Sequence, residues 1–186
     1  MNTLHAWFVL LWIGTCIGRA ASEGLDLYLP GEYAGTIKSF APDGQALASV
    51  EAVVIIRRIL NGHFLEFDGS TKESAPRRNK ALLSFDSASQ RYTYWAFDDR
   101  GGTSSFTEQY DPVARTLSGS GTLAGMSFVA KTTFSEDRKE VVTSYEWRGP
   151  SAAVLRVDVG RFGLVKPQPG APGTDAQPRS LRKASE

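Results

Sequence analysis

Between Glu32 and Val159 the chain repeats one pattern: a short run of apolar or alternating residues, then turn residues, at intervals of roughly ten positions. No long helical period interrupts it. This pattern specifies an all-β sandwich or barrel. The runs that predict strands are Glu32 to Phe40, Val50 to Leu60, His63 to Lys72, Lys80 to Phe85, Tyr92 to Phe97, Thr103 to Tyr110, Thr116 to Leu123, Met126 to Phe134, Glu140 to Trp147 and Ala153 to Val159. Between them, Pro42-Asp43-Gly44, Asn61-Gly62, Asp98-Asp99-Arg100-Gly101-Gly102, Ala124-Gly125 and Gly149-Pro150 supply glycine for positive φ or proline for a preset turn. Asn61-Gly62 is the strongest hairpin signal and predicts a two-residue turn. Strands joined by such short turns pair antiparallel, and about ten in sequence order make an up-and-down meander. An open meander leaves two raw edges, so the expected architecture is a single closed antiparallel β-barrel.

The flanks differ from this body. The apolar run from Ala6 to Gly18, followed by Ala20 and Ala21, has the anatomy of a secretory signal, with residues 1–21 as the segment removed. It is too short for a permanent membrane span, which needs about 20 residues of helix. A secreted or periplasmic protein is therefore expected. Cys16, the single cysteine, lies inside that segment; Ile13-Gly14-Thr15-Cys16 faintly resembles a lipoprotein box, so lipidation at Cys16 is the minor alternative to plain cleavage. Removal of the segment would exclude disulfides, thiolate metal sites and cysteine nucleophiles together. From Lys166 to Glu186 the chain is rich in proline and glycine, lacks aromatic residues and is expected to be a disordered tail, leaving 22–165 as the barrel domain.

Charge narrows the function classes. Formal net charge is +1, and lysine and arginine are scattered, so nothing forms the basic stripe that a nucleic-acid binder needs. Asp98 to Gly102 lacks the alternating oxygen ligands and closing glutamate of a helix-loop-helix calcium site and is expected to be a turn. Gly119-Ser120-Gly121 has no following helix to present amides to phosphate. Small residues there mark instead a bend or the close approach of a neighbour.

Several segments resemble a bacterial exported family of the calycin group, catalogued as a domain of unknown function. They are Leu29-Pro30-Gly31-Glu32-Tyr33-Ala34-Gly35-Thr36, Leu60-Asn61-Gly62-His63-Phe64-Leu65, Leu83-Ser84-Phe85-Asp86 and Tyr92-Thr93-Tyr94-Trp95-Ala96-Phe97-Asp98. The resemblance implies a lipocalin-like or fatty-acid-binding-protein-like barrel with an internal cavity. Related haem-binding barrels hold iron through a histidine late in the chain. The histidines here are His5 and His63, and Tyr33 stands where those barrels carry tryptophan, so no cofactor is expected.

The strand after Arg91 carries large rings on both faces, with Thr93, Trp95 and Phe97 on one and Tyr92 and Tyr94 on the other. Such rings either surround an apolar ligand or fill an unliganded core. Alternation puts Arg57 and Arg58 on opposite faces. The inward one either clamps a ligand carboxylate or forms a structural ion pair, with Glu66 or Glu146 as partner. His63 sits near a barrel end with no second group to orient it, and Glu66 and Asp68 share what is most simply a solvated outer face. The expected function is an exported barrel binding a small apolar or amphipathic molecule among Trp95, Phe97, Phe128, Tyr145 and Trp147, with Arg58 meeting an acidic headgroup. The alternatives are a filled structural or protein-interaction domain and, behind both, a cavity enzyme such as an isomerase or hydrolase. An enzyme would need two titratable groups within hydrogen-bond reach inside the barrel.

Overall fold

Alternation and turn chemistry place the strands, and closure of the last strand on the first fixes the shape. The structure is a computed structural model that describes residues 24–123 and 125–169. The secretory-signal and Cys16 expectations, and the tail beyond residue 169, lie outside the described residues. Among the described residues ten strands follow in order: β1 (Gly31–Phe40), β2 (Ala46–Ile59), β3 (Phe64–Thr71), β4 (Arg78–Asp86), β5 (Arg91–Asp98), β6 (Thr103–Asp111), β7 (Thr116–Leu123), β8 (Met126–Phe134), β9 (Glu140–Arg148) and β10 (Val154–Pro167). Each pairs antiparallel with its neighbours in sequence, and β10 pairs with β1 to close a lipocalin-like barrel. No described helix is long and apolar enough to cross a membrane.

Strand extent departs from expectation mainly at the ends. β10 continues to Pro167, past the expected start of the tail, because Lys166 and Pro167 pair with Glu32 and Gly31 along the closing seam. Lys166 and Pro167 are therefore corrected from tail to barrel. Asn61-Gly62 does not make a two-residue turn. Ile59 pairs with Phe64, and Leu60, Asn61 and Gly62 all take positive φ, so four residues bridge the strands and the His63 amide closes the loop on the Leu60 carbonyl at 3.2 Å.

Side chains alternate between the wall's two faces, and the two ends of the interior differ. At one end the short 3-10 helix Leu25–Leu27 sits as a plug, with Leu25 fully buried among Tyr28, Tyr33, Ile56, Leu65 and Leu83. Polar ties hold it there. Tyr92 donates its hydroxyl to the Gly24 carbonyl at 2.8 Å, and Arg58 forms an ion pair with Asp26. At the other end, Phe106, Phe128 and Ala130 pack with Tyr145 and Trp147 against one side of the wall and leave the rest open.

Candidate functional site: a tyrosine-lined cavity with a buried carboxyl

The open part of the interior is a cavity of about 650 Å³. Its depth is lined by Tyr28, Tyr94, Tyr145, Phe67, Thr132 and Glu108, and its rim by residues of the β1–β2, β3–β4 and β5–β6 hairpins together with Arg156 and Asp158 of β10. The volume suits a drug-sized or metabolite-sized molecule. Inward glycines beside it let neighbouring groups approach closely. Gly119 of β7 lies opposite Glu108, and a Cβ there would meet the Thr107 carbonyl oxygen at 2.3 Å and Glu108 Cγ at 2.9 Å. At Gly121 a Cβ would strike the Phe128 ring at 2.7 Å. Both observations agree with the close approach expected of the Gly119-Ser120-Gly121 segment.

Asp158 and Glu108, both in the lining, stand in opposite circumstances. Asp158 is satisfied on both oxygens: Ser39 Oγ donates to Oδ1 at 2.6 Å, Trp147 Nε1 donates to Oδ2 at 2.8 Å, and Arg156 lies 3.0 Å from Oδ2. The Arg156 guanidinium also lies 5.6 Å from the centre of the Trp147 ring. Glu108 of β6, only 5% exposed, makes no hydrogen bond or ion pair with any described residue. Burial alone pushes its carboxyl up to about 7. Its charge is felt by three phenols. The Tyr28 hydroxyl is raised well above its ordinary value by burial and then by Glu108, Tyr145 is raised by the same two causes in that order, and Tyr94 by burial, by its tyrosine neighbours and by Glu108. The hydroxyls of Tyr94 and Tyr145 have no hydrogen-bond partner among the described residues. The deep cavity thus presents an ionisable acceptor and two open phenols among apolar ring faces.

The residues expected to meet a ligand divide. Tyr145 lines the cavity. Phe128 and Trp147 point inward and form the aromatic wall beside it, their ring centroids 5.3 Å apart. Trp95 and Phe97 do not line the cavity, and this corrects their expected place. β5 turns Tyr92, Tyr94 and Ala96 inward, so Trp95 lies outside against Phe64, with ring centroids 6.3 Å apart, and Phe97 is 46% exposed. Which face of a two-sided aromatic strand is internal is settled by its neighbours' register, which the strand's own residues do not specify. Arg58 does point inward, but toward the plug, where it forms an ion pair with Asp26.

The outer charges follow the solvated-face expectation. Arg57 lies 3.3 Å from Glu66, and Lys80 lies 3.2 Å from Glu66 and 3.7 Å from Asp68. Hydrogen bonding to Lys80, followed by the charges of Lys80 and Arg57, holds the Glu66 carboxyl below its ordinary value. Asp98 Oδ1 accepts the amides of Arg100 at 2.9 Å and Gly102 at 2.6 Å, which makes that segment a turn. Among the described residues no group of three or more histidine, cysteine or acidic side chains is arranged to hold a metal.

Glu108 is absent from the expected site, although its signal is present in the sequence. Phe106, Glu108 and Tyr110 share one face of a strand, and a carboxylate between two rings on an inward face has to be buried.

No protein-family model matches the chain, and no curated protein matches it. Solved structures do. Rv2717c from M. tuberculosis is similar with a TM-score of 0.60 at 13% identity, covering 78% of this chain and 96% of that one. The S-type phycobiliprotein lyase CPES from Guillardia theta is similar with a TM-score of 0.58 at 10% identity, covering 83% of this chain and 98% of that one. At such identities the likeness is one of fold: the chain has the closed antiparallel barrel that these proteins share, over nearly their whole length.

Proposed function

We propose that this protein is an exported carrier or receptor for a small amphipathic molecule held inside the barrel. The observation that carries the proposal is the cavity of about 650 Å³, in which phenol hydroxyls and one carboxyl stand unpaired among aromatic faces. Unpaired polar groups inside a protein are destabilising unless something hydrogen-bonds to them, and a ligand with an apolar body and a polar group does so. A filled structural core would leave no such space. Catalysis is less favoured, because Glu108 has no second titratable group hydrogen-bonded to it and Asp158 is committed to Ser39, Trp147 and Arg156. Export rests on the apolar run at Ala6 to Gly18 and the small residues after it.

The test is native mass spectrometry of the protein purified from its exporting host, joined to titration with the neutral fluorescent probe N-phenylnaphthylamine. A co-purifying small molecule, or saturable uptake of one probe per chain, is the expected result. Protein that is ligand-free and takes up no probe would move the weight to a structural domain.

A further inference from the structure

Glu108 is a buried carboxyl without a partner among the described residues. It is nearly fully buried, it lines the cavity, and it makes no hydrogen bond or ion pair among the described residues. The other charges along the cavity do not answer it. Arg156 is held by Asp158, and Arg77, Arg78 and Arg100 belong to the rim hairpins, where Glu73, Asp98 and Asp99 stand beside them. No cationic side chain among the described residues offsets the burial of Glu108, where burial is the cause that raises its proton affinity.

What surrounds the carboxyl is as informative as what is missing. Tyr28 from the segment before β1, Tyr94 from β5 and Tyr145 from β9 all interact with its charge. Tyr92 is its cross-strand partner on one side and Gly119 on the other, so one flank carries a phenol and the other no side chain. Phenyl and phenol rings attract cations through their faces, phenol oxygens accept hydrogen bonds, and a carboxylate supplies the opposite charge. Together they form the recognition set for a protonated amine.

We propose that the cavity takes an organic ammonium ligand, a protonated amine on an apolar or aromatic body, with the nitrogen seated against Glu108 between Tyr94 and Tyr145. The proposal rests on the carrier function above and names the class of ligand for it. A fatty acid or other anionic amphiphile would bring a second negative charge toward Glu108 wherever that carboxyl is ionised, and is disfavoured at the deep position at about pH 8. The amine neutralises a buried carboxylate that the fold leaves alone, so binding draws Glu108 into its ionised form.

The experiment uses displacement of N-phenylnaphthylamine from the full chain by phenethylamine, phenethyl alcohol and hydrocinnamate, which share a ring and differ in charge. At about pH 8, phenethylamine should compete at least about tenfold better than the alcohol, as expected of a charge-assisted hydrogen bond, and better still than the acid. In Glu108→Gln, a near-isosteric change, the probe should still bind and the preference for amine over alcohol should vanish. Calorimetry on the unaltered protein at about pH 6, in two buffers of different ionisation heat, should show protons released as the amine binds. Probe uptake with equal competition by amine and alcohol would overturn the amine assignment and leave the carrier function standing, as would a preference that survives in Glu108→Gln or amine binding without proton release. No probe uptake by either protein would overturn both.

Discussion

Glu108 and Asp158 show how neighbours decide the state of a side chain. Asp158 has donors on both oxygens, whereas Glu108 has none among the described residues, so the ligand-free fold favours a protonated Glu108. Its ordinary value is 4.5 and its value in the barrel is about 7. Between those two values the folded chain binds more protons than the unfolded chain, so stability contributed by this group is full below pH 4.5 and falls as pH rises to about 7. The whole effect is roughly 3 kcal/mol. Glu108→Gln is therefore expected to raise the urea unfolding free energy at about pH 8 by up to that amount, and to flatten the decline from about pH 5 to 8 expected of the unaltered protein. A variant less stable than its parent at about pH 8 would contradict the burial argument. At this scale the sequence is only partly legible. The pairing of Phe106, Glu108 and Tyr110 on one face can be read directly, but the close approach at Gly119 arises across strands and is visible only in the register. Trp95 shows the same limit, since its strand alone presents two equally aromatic faces.

The elements divide labour between a sealed end and an open end. Leu25, in the short helix before β1, fills the sealed end, and the helix is tied down by Tyr92 and Arg58. Truncating a fully buried leucine removes packing as well as transfer energy, so Leu25→Ala should cost roughly 3 kcal/mol in chemical unfolding. It should also let water into the tyrosine cluster, read as greater quencher access in tyrosine fluorescence. A loss below about 0.5 kcal/mol would show that the plug does not seal the barrel. The strands themselves are legible because period-two alternation and turn residues are local signals. The plug is not, since a three-residue helical turn has no periodicity and its role depends on docking under the barrel. The β2–β3 connection fails for a related reason: Asn61-Gly62 signals reversal, but Leu60 also takes positive φ and lengthens the turn.

On the scale of the whole molecule, the cavity and the core are parts of one interior, and its free volume is what the proposed function uses. Ala52 is buried on the cavity wall, on the face shared by Val54 and Ile56 of β2. Ala52→Phe should fill that volume, reducing N-phenylnaphthylamine uptake at least about tenfold, with a change in stability of less than about 2 kcal/mol. Uptake at the parental level would place the probe outside the barrel. Closure was readable from the meander, because an unclosed sheet of this length has two unprotected edges. The size of the cavity was not, because it is the difference between a circumference and the bulk of side chains from ten strands. The β1–β10 seam also decides whether the wall encloses anything at all. Phe40 meets Val157 and Gly31 meets Pro167 across it, so the contacts that complete the wall are among the most distant in sequence and carry the largest loop-closure entropy. Every earlier strand can fold against the one before it and still enclose nothing. The binding volume exists only when that seam is closed, which makes ligand uptake a readout of completed folding.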